Sequence, residues 1–184
     1  MRCLTHKLVP VIAPLVAGFM LVGASTASGA QEAAAAAGPI AVNVLAPGVT
    51  AEVLAAAPSA GAPGETVYVA RFVFQPGAAI FPHSHPGTTV LGVVSGSFGW
   101  TLNAGKAHVV RGAGAGAAGP VEELTEPGAD VVLNAGDAIY YESDVVHTAR
   151  GAGDTEAVIL GSLVLKAGEP LLMPADMKMA APSS

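Results

Sequence analysis

The sequence predicts an all-β protein, a sandwich or barrel of short strands. Glycine (23) and proline (14) make up about a fifth of the 184 residues, whereas charged residues are only 12%. Turns are therefore frequent, and the charged faces that long surface helices carry are scarce. About ten apolar runs of strand length, separated by turn residues, follow one another along the chain. One of them, 97–103, alternates cleanly: Phe98, Trp100 and Leu102 fall on one face and Ser97, Gly99, Thr101 and Asn103 on the other. A hydrophobic fraction of 52% suits one compact domain and excludes a disordered acidic tail. Eight Lys and Arg against fourteen Asp and Glu give a formal charge of −6, with no basic cluster beyond the N-terminus, so nucleic acid is not an expected partner.

From the N-terminus, Arg2 and Lys7 precede an uncharged, mostly apolar run over 8–23, followed by small residues ending in Ser28, Gly29 and Ala30. This is the order of a secretory signal, so residues 1–30 read as a signal peptide cleaved after Ala30. An uncleaved membrane anchor is the alternative, against which Pro10, Pro14 and the short apolar core argue. Cleavage would remove the sole cysteine, Cys3, and two positive charges, moving the formal charge to −8. The expected product is secreted or periplasmic, away from the membrane and free of disulfides and thiolate ligands. Any metal would then rest on His, carboxylate or hydroxyl groups.

Residues 31–39 are an alanine-rich spacer. The barrel should span 40–166, with strands at 40–45, 49–54, 66–74, 88–94, 97–103, 106–111, 130–133, 138–142, 146–150 and 157–165. Residues 112–130 combine a glycine and alanine loop with an acidic stretch and read as an insertion, solvated or acting as a lid. Residues 167–184 form a tail whose Met173, Met177 and Met179 are a weak candidate for soft copper.

Of the four histidines beyond residue 30, His83, His85 and His147 fall beside turns. Positions two apart on a strand share a face, so His83 and His85 can present both rings to one cavity with Phe81 on the same parity. A third imidazole from a distant strand would complete a three-nitrogen cap. Neutral imidazoles suit Zn, Fe, Mn, Cu or Ni, and three of them leave coordination positions open for water or substrate. Read singly, the pair is equally well two polar residues near a turn. His108 reads as an exposed strand residue, and Arg71 as an ion-paired group or, alternatively, an anion-binding one. Tyr68, Phe72, Phe74, Phe98 and Trp100 read as core or pocket wall. No Ser-His-Asp pattern or phosphate loop competes for a catalytic role, no general base stands out, and the catalytic residues are undetermined.

The stretch 77–96, carrying Gly77, His83, His85 and Gly96, resembles the first signature of the cupin family: glycine, five residues, His-x-His, a glutamate, and a closing glycine. The stretch 136–147, with Gly136 and His147, resembles the second. Together they cover most of 66–165. The resemblance implies a cupin-type double-stranded β-helix, or jelly-roll barrel, with a divalent transition metal held inside by His83, His85 and His147. It further implies a small-molecule ligand or substrate, dioxygenase-like chemistry as one option among the family's many, and homodimers as a common assembly. The sequence departs from the pattern at the glutamate position, which is Thr89. In the second signature Glu142, Asp144 and Gly151 stand at the usual proline, glycine and asparagine positions. Thr89 could hydrogen-bond a ligand or fill space, and Glu142 could substitute as a ligand or face solvent at the turn. Two functions stay open: a metalloprotein with metal-dependent, oxygenase-type catalysis, and a small-molecule binding module without an obligatory metal.

Overall fold

A computed structural model describes residues 42–112 and 119–175. The chain separates into a unit of Met1–Glu32, which lies outside the described residues, and a unit of Ala33–Ser184, which contains the barrel. The expectations for the signal, Cys3, the spacer, most of the glycine and alanine loop, and Met177 and Met179 lie outside the described residues as well. Among the described residues no helix is long and apolar enough to cross a membrane.

The fold is all-β and antiparallel. Its strands are β1 (Val42–Ala46), β2 (Val49–Pro58), β3 (Glu65–Phe74), β4 (Ala79–Ser84), β5 (Gly87–Ser95), β6 (Ser97–Ala104), β7 (Ala107–Val110), β8 (Val121–Leu124), β9 (Asp130–Asn134), β10 (Ala138–Tyr141), β11 (Val146–Gly151), β12 (Ala157–Lys166) and β13 (Met173–Pro174). They form an eight-stranded sheet in the order β1-β2-β3-β12-β5-β10-β7-β8 and a five-stranded sheet in the order β13-β4-β11-β6-β9. Both sheets turn one face to a shared core, in which Phe72, Leu91 and Ile159 of the larger sheet join Ile80, Phe98 and Leu133 of the smaller. Phe74 and Phe98 meet across the gap with ring centroids 5.2 Å apart.

Alternation explains why these segments are strands. Along β12 the odd positions from Ala157 to Leu165 are buried, and the even positions point outward. Val90, Val94 and Leu160 stand on the outer face with 44%, 59% and 44% of their surface exposed. The β5–β6 turn closes at Gly96, whose φ of +73° is a left-handed conformation that side chains disfavour. A Cβ at that position would lie 2.3 Å from the Glu156 carbonyl oxygen, so glycine is required twice over.

Three strands depart from the sequence-based expectation. β4 covers the stretch read as turn-flanked histidines, β8 lies within the segment read as an insertion, and β13 falls in the tail. The reason for β4 is a bulge. His147 pairs with His83 while Ala149 pairs with Ile80, so three steps on β4 face two on β11. Pro82, which has no N–H to give a ladder, sits inside that bulge. Ile80 and His83 both point inward as a result, and Phe81 and Pro82 both point out. β8 pairs along β7 with Lys106 and Glu123 forming an exposed ion pair at 3.2 Å.

Candidate metal centre

The bulge decides which side chains reach the interior. It places His83 inward at the end of β4, and His85 follows two residues on; both are buried. β11, central in the smaller sheet, brings His147 directly opposite His83. The ligand-type atoms of the three imidazoles all lie within 4.8 Å of one another. Ring centroids are 4.2 Å apart for His83 and His147, 5.2 Å for His83 and His85, and 5.5 Å for His85 and His147.

Backbone carbonyls orient two of the rings. His83 Nδ1 donates to the Phe81 carbonyl at 2.8 Å, and His85 Nδ1 donates to the Leu171 carbonyl at 2.6 Å. A carbonyl only accepts, so each Nδ1 carries the proton and each Nε2 keeps its lone pair. Supporting bonds of this kind commonly orient metal-bound histidines. His147 stacks on Trp100, with centroids 5.0 Å apart and an 18° interplanar angle. Its Nε2 lies 3.2 Å from the Tyr141 hydroxyl.

Burial keeps all three imidazoles neutral. It lowers the His83 pKa to about 4, and, with the neighbouring His83 adding to the effect, lowers that of His85 to about 3. Burial followed by the charges of His83 and His85 lowers that of His147 well below the ordinary value. The same burial pushes the Tyr141 phenol upward. Neutral rings with free lone pairs are the form in which histidine binds a cation.

Of the other residues singled out in the sequence, Thr89 is fully buried on the inner face of β5, where it pairs across the sheet with Tyr141. Its hydroxyl has no protein partner, and neither does that of buried Ser84. Trp100 is buried against His147. Phe81, expected on the face of His83 and His85, is instead 48% exposed because the bulge reverses its parity. Glu142 is exposed, and one of its carboxylate oxygens accepts a 2.6 Å hydrogen bond from Thr88. It does not join the histidine cluster. His108 stacks on Tyr140 on the outer side of the larger sheet, and Arg71 lies 3.9 Å from Glu52.

Sequence reasoning missed Tyr141 and the Leu171 carbonyl. Tyr141 shares its parity with the apolar, inward-facing Ile139, and that alternation was the available signal. The contact between His85 and Leu171 spans 86 residues and has no local signal.

The arrangement fits a metal. Three buried lone pairs lie close enough to share one ion after shifts of under about 1 Å, given metal–nitrogen distances of about 2.0–2.1 Å. The nearby donor set is nitrogen with a hydroxyl and no thiolate, which suits the borderline transition metals.

No sequence-family description and no curated protein matches the chain. Solved structures do. A DMSP lyase is 16% identical over 69% of this chain and 52% of that one, with a TM-score of 0.47. Bacillus subtilis oxalate decarboxylase is 19% identical over 74% and 30%, also at 0.47. An RmlC-like cupin from Shewanella frigidimarina is 18% identical over 71% and 86%, at 0.37. Cupin barrels are thus among its structural neighbours. The chain spans about half the length of the first of these proteins and under a third of the second.

Proposed function

We propose that this chain is an exported cupin-type metalloprotein that holds one divalent transition metal on His83, His85 and His147 and acts on a small molecule. The observation that carries the reading is the convergence of three buried, neutral imidazoles within 4.8 Å. Fe, Mn, Zn, Cu and Ni all accept such a donor set, and the bound ion would supply Lewis acidity or, for a redox-active metal, oxygen chemistry of the dioxygenase type. The chain's own part is to fix two of the rings through the Phe81 and Leu171 carbonyls, to place a hydroxyl beside His147, and to surround the three rings with apolar side chains. Export rests on the order of charges, apolar run and small residues over 1–30.

Elemental analysis of the purified full-length protein, made without a metal-binding tag, tests the metal. Close to one transition metal per chain is expected, and none after reconstitution with each of the five candidates would overturn the reading. In the variant His83→Ala the affinity should fall by more than the ~10–100-fold typical of losing a mere supporting partner. Thr89, at the position where a carboxylate ligand would be expected, favours a second reading, a binding module without an obligatory metal. Such a protein would keep its ligand affinity after chelation, whereas an enzyme would lose turnover.

A further inference from the structure

Three neutral imidazoles leave a divalent ion with its full double charge inside the barrel, where an uncompensated charge is strongly disfavoured. An anionic ligand is therefore favoured, yet the position at which a glutamate is expected carries Thr89. Among the described residues the buried polar side chains are His83, Ser84, His85, Thr89 and His147, so no carboxylate is buried. One buried group can still become an anion. Tyr141, 1% exposed, carries an acidic phenol. It also pairs directly with Thr89 across the β5–β10 ladder, so the two side chains stand side by side on the inner face of the larger sheet.

The phenol oxygen lies where a ligand atom belongs. Tyr141 Oη is 3.2 Å from His147 Nε2. Neighbouring ligand atoms on one tetrahedral ion, each about 2.0–2.1 Å from it, are about 3.3–3.4 Å apart. The Tyr141 ring centroid is 4.8 Å from that of His147 and 6.1 Å from that of His85, so the phenol adjoins two of the three imidazoles. A further buried group is prepared for the same oxygen. The Trp100 indole N–H acts on the Tyr141 oxygen, opposing the upward push of burial on that phenol, but Trp100 Nε1 completes no hydrogen bond. A phenolate, a stronger acceptor than a phenol, would complete it.

In the metal-free protein burial keeps the phenol protonated. A cation at bonding distance reverses that balance, because coordination draws the proton from an oxygen acid well below its ordinary range. Resting on the metal reading above, we propose that Tyr141 is the fourth protein ligand, a phenolate from β10 that takes the place of the carboxylate missing from β5 at Thr89. The hydroxyl proton passes to solvent as the metal–oxygen bond forms, and the hydrogen bond to His147 gives way because the Nε2 lone pair also goes to the ion. A divalent ion then keeps one net positive charge instead of two.

Phenolate bound to Fe(III) absorbs strongly in the visible region by charge transfer, and resonance Raman excitation in that band enhances the phenolate ring modes. The full-length protein is loaded with Fe(II) without oxygen, its stoichiometry is set by elemental analysis, and the iron is oxidised with ferricyanide before desalting. The wild-type protein should develop both the band and the ring modes, a result that does not depend on any variant folding. Tyr141→Phe, which keeps the ring packed against Trp100 and His147, should hold iron yet lose both signals, and its Zn(II) affinity, measured against a chelator, should fall at least about tenfold. Tyr140→Phe, which removes the neighbouring phenol from the outer face, should keep both. One iron per chain without the band in the wild type, a band that survives in Tyr141→Phe, or an unchanged Zn(II) affinity in that variant would overturn this proposal and leave the metal reading standing. A protein that takes up neither iron nor zinc loses the metal reading, and the proposal with it.

Discussion

His83 and His85 each use one nitrogen to hold the backbone and keep the other free, and that division makes their protonation a folding event. In the unfolded chain a histidine titrates near 6.5, whereas burial holds the folded His83 near 4 and His85 near 3. Below pH 6.5 the unfolded state therefore binds more protons than the folded one, and metal-free stability should fall as pH drops toward 4 and below. The loss should be on the order of several kcal/mol across that window, and urea titrations from pH 7.5 to 4 would record it. Bound metal should displace the fall to lower pH, since protons and the ion compete for the same lone pairs. Tyr141→Phe removes a hydroxyl 3.2 Å from His147 Nε2 and should cost the metal-free protein about 0.5–1.5 kcal/mol in denaturant unfolding. Trp100, the sole tryptophan, stacks on His147, so a paramagnetic ion such as Cu(II) bound at the cluster should quench its fluorescence. Unchanged emission on saturation would place the ion elsewhere. At this scale the histidines were legible because His83 and His85 stand at a strand's period and the stretches that carry them and His147 resemble the two signatures, whereas the pair alone was equally well two polar residues near a turn. Tyr141 was not, because Tyr140 precedes it and only the register assigns one ring to each face.

The β5–β6 hairpin makes the corresponding prediction for an element. Gly96→Ala places a Cβ 2.3 Å from the Glu156 carbonyl oxygen in a conformation with positive φ. It should destabilise the protein by more than about 1 kcal/mol, read as a lower denaturation midpoint at unchanged slope. Gly112, which also has a positive φ but meets nothing within 4 Å, should cost less on the same substitution. The long strands β3, β5, β6 and β12 were legible because one apolar face is buried and the alternation is intact. β4 was not, since its bulge puts two outward residues in succession and breaks the period exactly where Pro82 also discourages a strand assignment. β8 carries the acidic pair Glu122 and Glu123 on an exposed sheet edge, where burial imposes little pattern. The two residues of β13 are too few to show any period. On β9 and β11, Asp130 and Arg150 make paired hydrogen bonds of 2.6 and 2.7 Å, and the guanidinium holds the carboxyl below its usual pKa. The guanidinium lies over Gly99 of β6, where a Cβ would come within 2.6 Å of it.

For the barrel as a whole, connectivity governs behaviour. β12 lies between β3 and β5, pairing Leu163 with both Tyr68 and Thr89, so the middle of the larger sheet is assembled from strands far apart in sequence. Folding dominated by such pairings is slow, and stopped-flow refolding followed through buried Trp100 should relax in about milliseconds to seconds. Microsecond relaxation would contradict the topology. The class of fold was legible from the spacing of turns, but strand order was not, because which strands pair depends on contacts that no local window contains. The central position of β12 also orders events in time. A ribosome makes this chain from the N-terminus, and until residues 157–166 have emerged β3 and β5 lack the neighbour that joins them. The nascent polypeptide should therefore remain open to proteases until late in its synthesis and become resistant once that last long strand is in place.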